Sequence, residues 1–64
     1  MENATIESVY WNMHEPDTIE IEVKTEDGEL HVLHNDQIGC PYPHPGKRGV
    51  LTGIGTNRQF VEVI

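Results

Sequence analysis

The clearest pattern in the chain is the alternation of apolar and polar side chains over residues 18–25, which read TIEIEVKT. A period of two places all the apolar side chains on one face, as in a strand that is buried on one side only. Asp27-Gly28 follows, and this dipeptide between two alternating runs is a strong signal for a β-hairpin. The pattern therefore predicts a hairpin whose second strand covers residues 30–34.

A two-residue turn at Asp27-Gly28 also predicts the register of this hairpin. The expected pairs are Glu26 with Glu29, Thr25 with Leu30, Val23 with Val32, and Ile21 with His34, while Lys24 faces His31 on the outer side. A slip of one residue would turn one strand's apolar side chains toward water.

Residues 5–13 are rich in β-branched and aromatic side chains, which favours another strand. Neither face of that strand is cleanly apolar, so we expect it to be bulged or covered on both sides, with a helix as the rival interpretation. Residues 14–17 follow as a loop, because Pro16 prevents the strand from continuing.

The C-terminal residues predict a second hairpin, with strands over residues 50–55 and 59–64 around a turn at residues 56–58. The expected pairs are Ile54 with Phe60, Thr52 with Glu62, and Val50 with Ile64, with Gly53 beside Val61. Both faces of the last strand are apolar apart from Gln59 and Glu62. Either a closed barrel or a neighbouring subunit must cover the second face.

Between the hairpins lies a segment dominated by proline and glycine, residues 39–49, which read GCPYPHPGKRG. Proline fixes φ near −65° and lacks an N–H, and it pushes the preceding residue out of the helical region. We therefore predict a stiff loop that is neither helix nor central strand, entered through the apolar anchor Ile38. The loop holds Tyr42 and His44 outward.

These elements predict an all-β fold formed by a single domain over residues 1–64. A small five-stranded barrel or a strongly coiled antiparallel sheet fits five short strands, with an SH3-like barrel as the first interpretation and an OB-like barrel as the second. Both are analogies at the level of the fold and imply no activity.

Charge and size narrow the classes of function. The net charge is −7, and ten of the eleven acids precede residue 37, whereas three of the four Lys and Arg residues follow it. An acidic half repels nucleic acid and anionic membranes and suits a basic protein surface. One cysteine and the absence of any long apolar run or basic leader predict a cytoplasmic protein with no membrane segment.

Metal binding and catalysis are disfavoured by spacing. His31 and His34 lie three apart in a predicted strand, where their side chains point to opposite faces. Prolines hold Cys40 and His44 apart, whereas zinc needs a tetrahedral set of Cys and His ligands. A cysteine nucleophile needs a nearby cation or helix N-terminus and an orienting base. We expect no metal, no cofactor and no enzymatic activity.

The remaining hypothesis is protein recognition, because rigid loops lose little entropy on docking, and Tyr and Arg are frequent interface anchors. The predicted partner-binding residues lie on the loop, the last turn and the acidic hairpin: Tyr42, His44, Lys47, Arg48, Arg58, Glu20, Glu22 and Asp27. A small bacterial or viral accessory or regulatory protein fits this composition. The alternatives are a structural subunit of a homo-oligomer and, disfavoured by charge, a nucleic-acid-binding small barrel.

Overall fold

The computed structural model describes residues 2–12, 14 and 18–63. Three sequence-based expectations lie outside the described residues: the strand end at Met13, the loop over residues 15–17 and the pairing role of Ile64.

Within the described part of the chain, six strands form one sheet that is nearly closed into a barrel. The strands are β1 (Glu2–Trp11), β2 (Ile19–Thr25), β3 (Leu30–His34), β4 (Ile38–Gly39), β5 (Arg48–Thr52) and β6 (Gln59–Glu62). Short 3-10 helices cover Asn35–Gln37 and Gly55–Asn57. The all-β prediction is confirmed. The count of five strands was one too low, because Ile38–Gly39 pairs with β6.

The strands follow one another across the sheet in the order β3-β2-β1-β5-β6-β4. All neighbours are antiparallel except β4 and β6, which run parallel. The first strand thus lies between β2 and β5, and the chain just after β3 returns to pair with the last strand. The strand order therefore departs from a simple meander, because several neighbours in the sheet do not follow one another along the chain.

A β-bulge at Glu7 explains why neither face of the first strand reads as apolar. The register of β1 against β2 shifts between Ile6 and Ser8. Ala4 and Ile6 are buried before the bulge, and Val9 packs against the core after it. An extra residue in one strand moves the inward positions from even to odd numbers. The expectation of a bulged strand is confirmed.

The first hairpin forms as predicted, but its register is shifted by one residue. The pairs are Glu20 with His34, Ile21 with Leu33, Glu22 with Val32, Val23 with His31, and Lys24 with Leu30. Gly28 adopts a φ of +90°, so the turn spans three residues instead of two. A three-residue turn that ends in a left-handed glycine is the next commonest hairpin loop. Leu33 consequently enters the core, and Val32 faces outward.

The second hairpin also differs in register, here by three residues. Thr52 pairs with Gln59, Leu51 with Phe60, Val50 with Val61, and Gly49 with Glu62. Gly53 and Gly55 adopt φ values of +71° and +58°, so the chain leaves the strand early and makes a 3-10 turn. The predicted pairs of Ile54 with Phe60 and of Gly53 with Val61 were therefore wrong.

The core lies inside the curved sheet and is built from side chains of five strands and of the loop after β4. Its members are Ala4, Ile6, Ile21, Val23, Leu33, Cys40, Leu51 and Phe60, with Val9 and Ile38 packed against them. Burying one large aliphatic or aromatic side chain stabilises a fold by about 1.5–3 kcal/mol. Ile38 thus serves as the predicted anchor.

Within the described residues, no helix is long and apolar enough to cross a membrane.

Candidate interaction surface

The segment between β4 and β5, residues 40–47, is here called the proline loop. It contains neither strand nor helix, as its three prolines predict. It is shorter than the predicted 39–49, because Gly39 belongs to β4 and Arg48 begins β5.

Backbone hydrogen bonds fasten the C-terminal end of the proline loop to the first strand. The Gly46 N–H donates to the Ile6 carbonyl at 2.8 Å, and the Ile6 N–H donates to the Lys47 carbonyl at 2.9 Å. Ile6 is fully buried, and it is the last residue of β1 to pair with β2 before the register shifts at the bulge. The loop is therefore tied to one of the most deeply buried points of the molecule.

Side chains fasten the same loop to the last strand. One Glu62 oxygen accepts a bond from the Lys47 ammonium at 2.5 Å, and the other lies 3.7 Å from the Cys40 thiol. The hydrogen bond to Glu62 raises the pKa of the Lys47 ammonium, so this group stays charged across the neutral range. A single carboxylate thus joins both ends of the proline loop to β6.

Cys40 serves as an anchor of the loop. Its side chain is buried. Burial, and to a smaller extent the negative charge of Glu62, raises the pKa of the thiol. A reactive cysteine needs the opposite shift, toward thiolate at neutral pH. The geometry therefore favours a packing role for Cys40.

Tyr42 is the tyrosine of the proline loop, and 78% of its surface is accessible. His44, two residues on, is also exposed, and its Nδ1 lies 3.0 Å from the Pro45 carbonyl oxygen. The structure thus presents Tyr42 and His44 outward, as predicted from the alternation with proline.

The three Lys and Arg residues among the predicted partner-binding residues do not lie in one patch. Lys47 is paired with Glu62, and Arg58 donates to the ring of His31 at 2.9 Å, across the gap between β3 and the β5–β6 loop. Arg48 lies on the outer face of β5, opposite Thr5 of β1. Of these three cations, Lys47 alone forms an ion pair with a described residue, whereas Arg58 has a hydrogen-bond partner and Arg48 has neither there.

The acidic hairpin residues lie on the outer face of β2 and in the turn that follows it. Glu20 accepts a bond from His34 at 2.8 Å, and both side chains are about half exposed. Glu22 lies between Ser8 and Val32 in register. The Thr25 hydroxyl donates to Asp27, and this bond lowers the pKa of that carboxyl.

Three apolar or aromatic side chains are exposed on this outer face, and the predicted register had buried two of them. Tyr10, Leu30 and Val32 are each at least half exposed. The two-residue turn had assigned Leu30 and Val32 to the core face. The sequence leaves both registers open, because residues 32 and 33 are both apolar and only one of them can face inward.

Among the described residues, no three His, Cys, Asp or Glu side chains are arranged to hold a metal ion. The fold and the surface define a small all-β, barrel-like protein with a doubly anchored, aromatic-bearing loop. Comparison with protein families, curated proteins and solved structures finds no significant match to the chain.

Proposed function

We propose that this protein is a non-enzymatic interaction module that binds a protein partner through the proline loop. The observation that carries the proposal is the exposure of Tyr42 on a loop fastened at both ends. Within this proposal, the chain is a small cytoplasmic accessory or regulatory protein of bacterial or viral type.

The physical argument concerns the entropy of binding. Ordering a flexible, rotamer-rich side chain or loop at an interface costs about 0.5–1.5 kcal/mol per side chain. The proline loop has already lost its backbone freedom through its prolines and through the bonds to Ile6 and Glu62. An exposed tyrosine on such a support is typical of an interface anchor. Tyr42 and His44 are the contact residues of the loop, and Arg48 adds charge at its end.

The outer face of the acidic hairpin is the second surface of the proposal. Glu20 and Glu22 lie there next to the exposed side chains of Leu30 and Val32, and Asp27 lies in the turn. An apolar patch framed by carboxylates suits a partner that is basic around an apolar centre. Arg58 stays a predicted partner-binding residue, and its guanidinium bonds to His31 at 2.9 Å.

The test is affinity capture from the native cell with mass spectrometry, comparing the wild type with a Tyr42→Ala, His44→Ala double variant. Neither side chain has a described contact beyond the loop itself, so the fold should hold, as checked by circular dichroism. Ile54→Ala is the matched control, because Ile54 is also 78% exposed and lies on another loop. We expect a partner that is retained by the control and lost by the double variant. Equal capture by both would refute the proposal.

A structural subunit of a homo-oligomer is the second candidate. Val61 and Val63 are 43% and 57% exposed, so the second apolar face of the last strand remains uncovered by the described residues. Exposed apolar side chains near a strand are a common route to self-association. Light scattering at micromolar concentration tests this, and a mass equal to one chain would count against it.

Nucleic acid binding is the third candidate, and it rests on the OB-like interpretation of the strand order. OB-like barrels often bind oligonucleotides on the face of their second and third strands. In this chain that face carries Glu20 and Glu22, which repel phosphates. A mobility-shift assay at low salt tests this candidate, and the absence of a shift would remove it.

A further inference from the structure

A groove of about 660 Å³ crosses the outer face of the sheet where β1 lies between β2 and β5. Thr5 is at its centre, with Lys24 beside it on β2 and Arg48 beside it on β5. Directly paired residues of neighbouring strands point to the same face and lie about 4.5–5.5 Å apart. Two cations and a hydroxyl therefore stand in one row across the groove.

Neither cation of this row is neutralised by the described part of the chain. The ion pairs present there involve other residues: His31, His34 and Lys47 with Glu29, Glu20 and Glu62. Glu26 also lines the groove, but one of its oxygens accepts a bond from the Asn3 amide at 2.9 Å. Two adjacent cations on a protein of net charge −7 leave their hydrogen-bond donors available for an anion.

The carboxylates of the groove define what kind of anion fits. Glu26, held by Asn3, lies toward one end, and Glu7, at the bulge, lies toward the other. These two carboxylates flank the cations without forming an ion pair with them in the described part of the chain, so they would repel a phosphate chain that extends along the groove. A peptide with one carboxylate between two cationic side chains matches the order of charges along β1. Its carboxylate would face the cations beside Thr5, and its two cationic side chains would face Glu26 and Glu7. The spacing fits, because alternate residues of an extended peptide are spaced like Asn3, Thr5 and Glu7.

We infer that this groove is a binding site for an acidic side chain of an extended protein segment that carries basic residues two positions before and after it. Lys24 and Arg48 donate to the carboxylate, and the Thr5 hydroxyl lies between them. The site is distinct from the proline loop and shares only Arg48 with the proposed interaction residues.

The test is a titration followed by nuclear magnetic resonance, with the peptide acetyl-Lys-Ala-Glu-Ala-Lys-amide as the probe. Saturable shifts are expected at the backbone amides of Thr5, Lys24 and Gly49. The same peptide with Gln in place of Glu should bind at least about twofold more weakly, as for the loss of an exposed charge pair. Equal binding of the two peptides, or no saturable shift, would overturn the inference.

Variants of the protein separate binding in the groove from attraction by overall charge. Lys24→Gln and Arg48→Gln should each weaken binding of the Glu peptide about two- to fivefold. Asn57→Asp is the control, because it lowers the net charge by the same single unit on the β5–β6 loop. The Glu peptide carries a net charge of +1, so attraction by overall charge alone would let all three variants, each one unit more negative, bind it at least as tightly as the wild type does. Unchanged or tighter binding in Lys24→Gln and Arg48→Gln, or an equal loss in Asn57→Asp, would overturn the inference. Inorganic phosphate that binds more tightly than the peptide would overturn the assignment to a carboxylate.

The proposed function and this inference fail separately. Tyr42→Ala removes the proposed partner-contacting side chain of the proline loop and should leave the peptide titration unchanged. Lys24→Gln removes a groove residue that lies outside the proline loop and should leave capture of the partner unchanged. A titration lost in Tyr42→Ala would contradict the assignment of the site to the groove.

Discussion

Gly49→Ala places one methyl group at a crowded point of the sheet. Gly49 lies on β5, is buried, and pairs with Ala4 of β1 and Glu62 of β6. A Cβ built there would lie 2.6 Å from Cζ of Phe60 and would also clash with the carbonyl oxygen of Val61. The carbonyl is backbone of a paired strand, and the Phe60 ring is fully buried, so neither neighbour has room to move away.

The magnitude follows from overpacking in a small domain. Forcing an extra methyl into a filled core costs about 1–3 kcal/mol, and a clash with both a backbone atom and a buried ring places this variant near the upper value. Stability of about 0.05–0.15 kcal/mol per residue gives a chain of this size roughly 3–10 kcal/mol in total. Gly49→Ala should therefore remove about a third of the stability, or all of it if the fold is marginal.

Urea unfolding followed by circular dichroism measures this loss. With a slope of about 1 kcal/mol per molar urea for a domain of this size, the midpoint should fall by about 2–3 M. Gly46→Ala is the matched control, because a Cβ at Gly46 meets no atom within 4 Å. Its φ of +92° costs a side chain about 1–2 kcal/mol, so its midpoint should fall less.

A Gly49→Ala variant with the wild-type midpoint would refute the reasoning. It would mean that β5 and β6 pair in another register, such as the one that places Gly53 beside Val61 and leaves Gly49 outside the hairpin. A larger loss in Gly46→Ala than in Gly49→Ala would contradict the observed register in the same way.

Three further predictions concern the proline loop and the first turn. Glu62→Gln should speed hydrogen exchange at the Gly46 amide, because the ion pair that fastens the loop is lost. Cys40 should react with iodoacetamide at pH 8 more slowly in the folded chain than in urea, since burial raises the pKa of the thiol. Asp27→Asn should lose less stability than the wild type on acidification to pH 2.5, because the hydrogen bond from Thr25 lowers the pKa of Asp27.

Proton linkage gives the sign of the pH dependence of the free energy of unfolding in the Asp27→Asn comparison. A carboxyl whose pKa is lower in the folded state stabilises the fold fully above its unfolded pKa of about 3.9, and this contribution is lost as the pH falls through the folded pKa. Urea midpoints at pH 6 and pH 2.5 measure it, and identical declines in wild type and Asp27→Asn would contradict the prediction. Unchanged exchange in Glu62→Gln, or equal thiol reactivity in folded and unfolded chains, would contradict the other two.

The fold class could be predicted from alternation and turn residues, but the registers could not. Residues 30–34 offer apolar side chains at both 32 and 33, so the choice depends on whether the turn has two or three residues. The backbone conformation of Gly28 decides it. In the second hairpin the decision rests with Gly53 and Gly55, whose left-handed conformations end the strand early.

The stiff loop could be predicted because proline acts locally, and its outward Tyr42 followed from the same rule. The role of Lys47 could not, because its partner Glu62 lies fifteen residues away and meets it only after β6 has paired with β5. The groove around Thr5 was missed for a similar reason. Lys24 and Arg48 are distant in sequence, and it is their common pairing with one residue of β1 that makes them neighbours.

Site-specific photo-crosslinking in the native cell tests the central claim, that the proline loop recognises a protein partner, most directly. A photoreactive phenylalanine analogue replaces Tyr42 in one variant and Ile54 in the other, two side chains of equal exposure on separate loops. We predict a discrete crosslinked protein from position 42 and none from position 54. No product from position 42, or the same product from both positions, would contradict the claim.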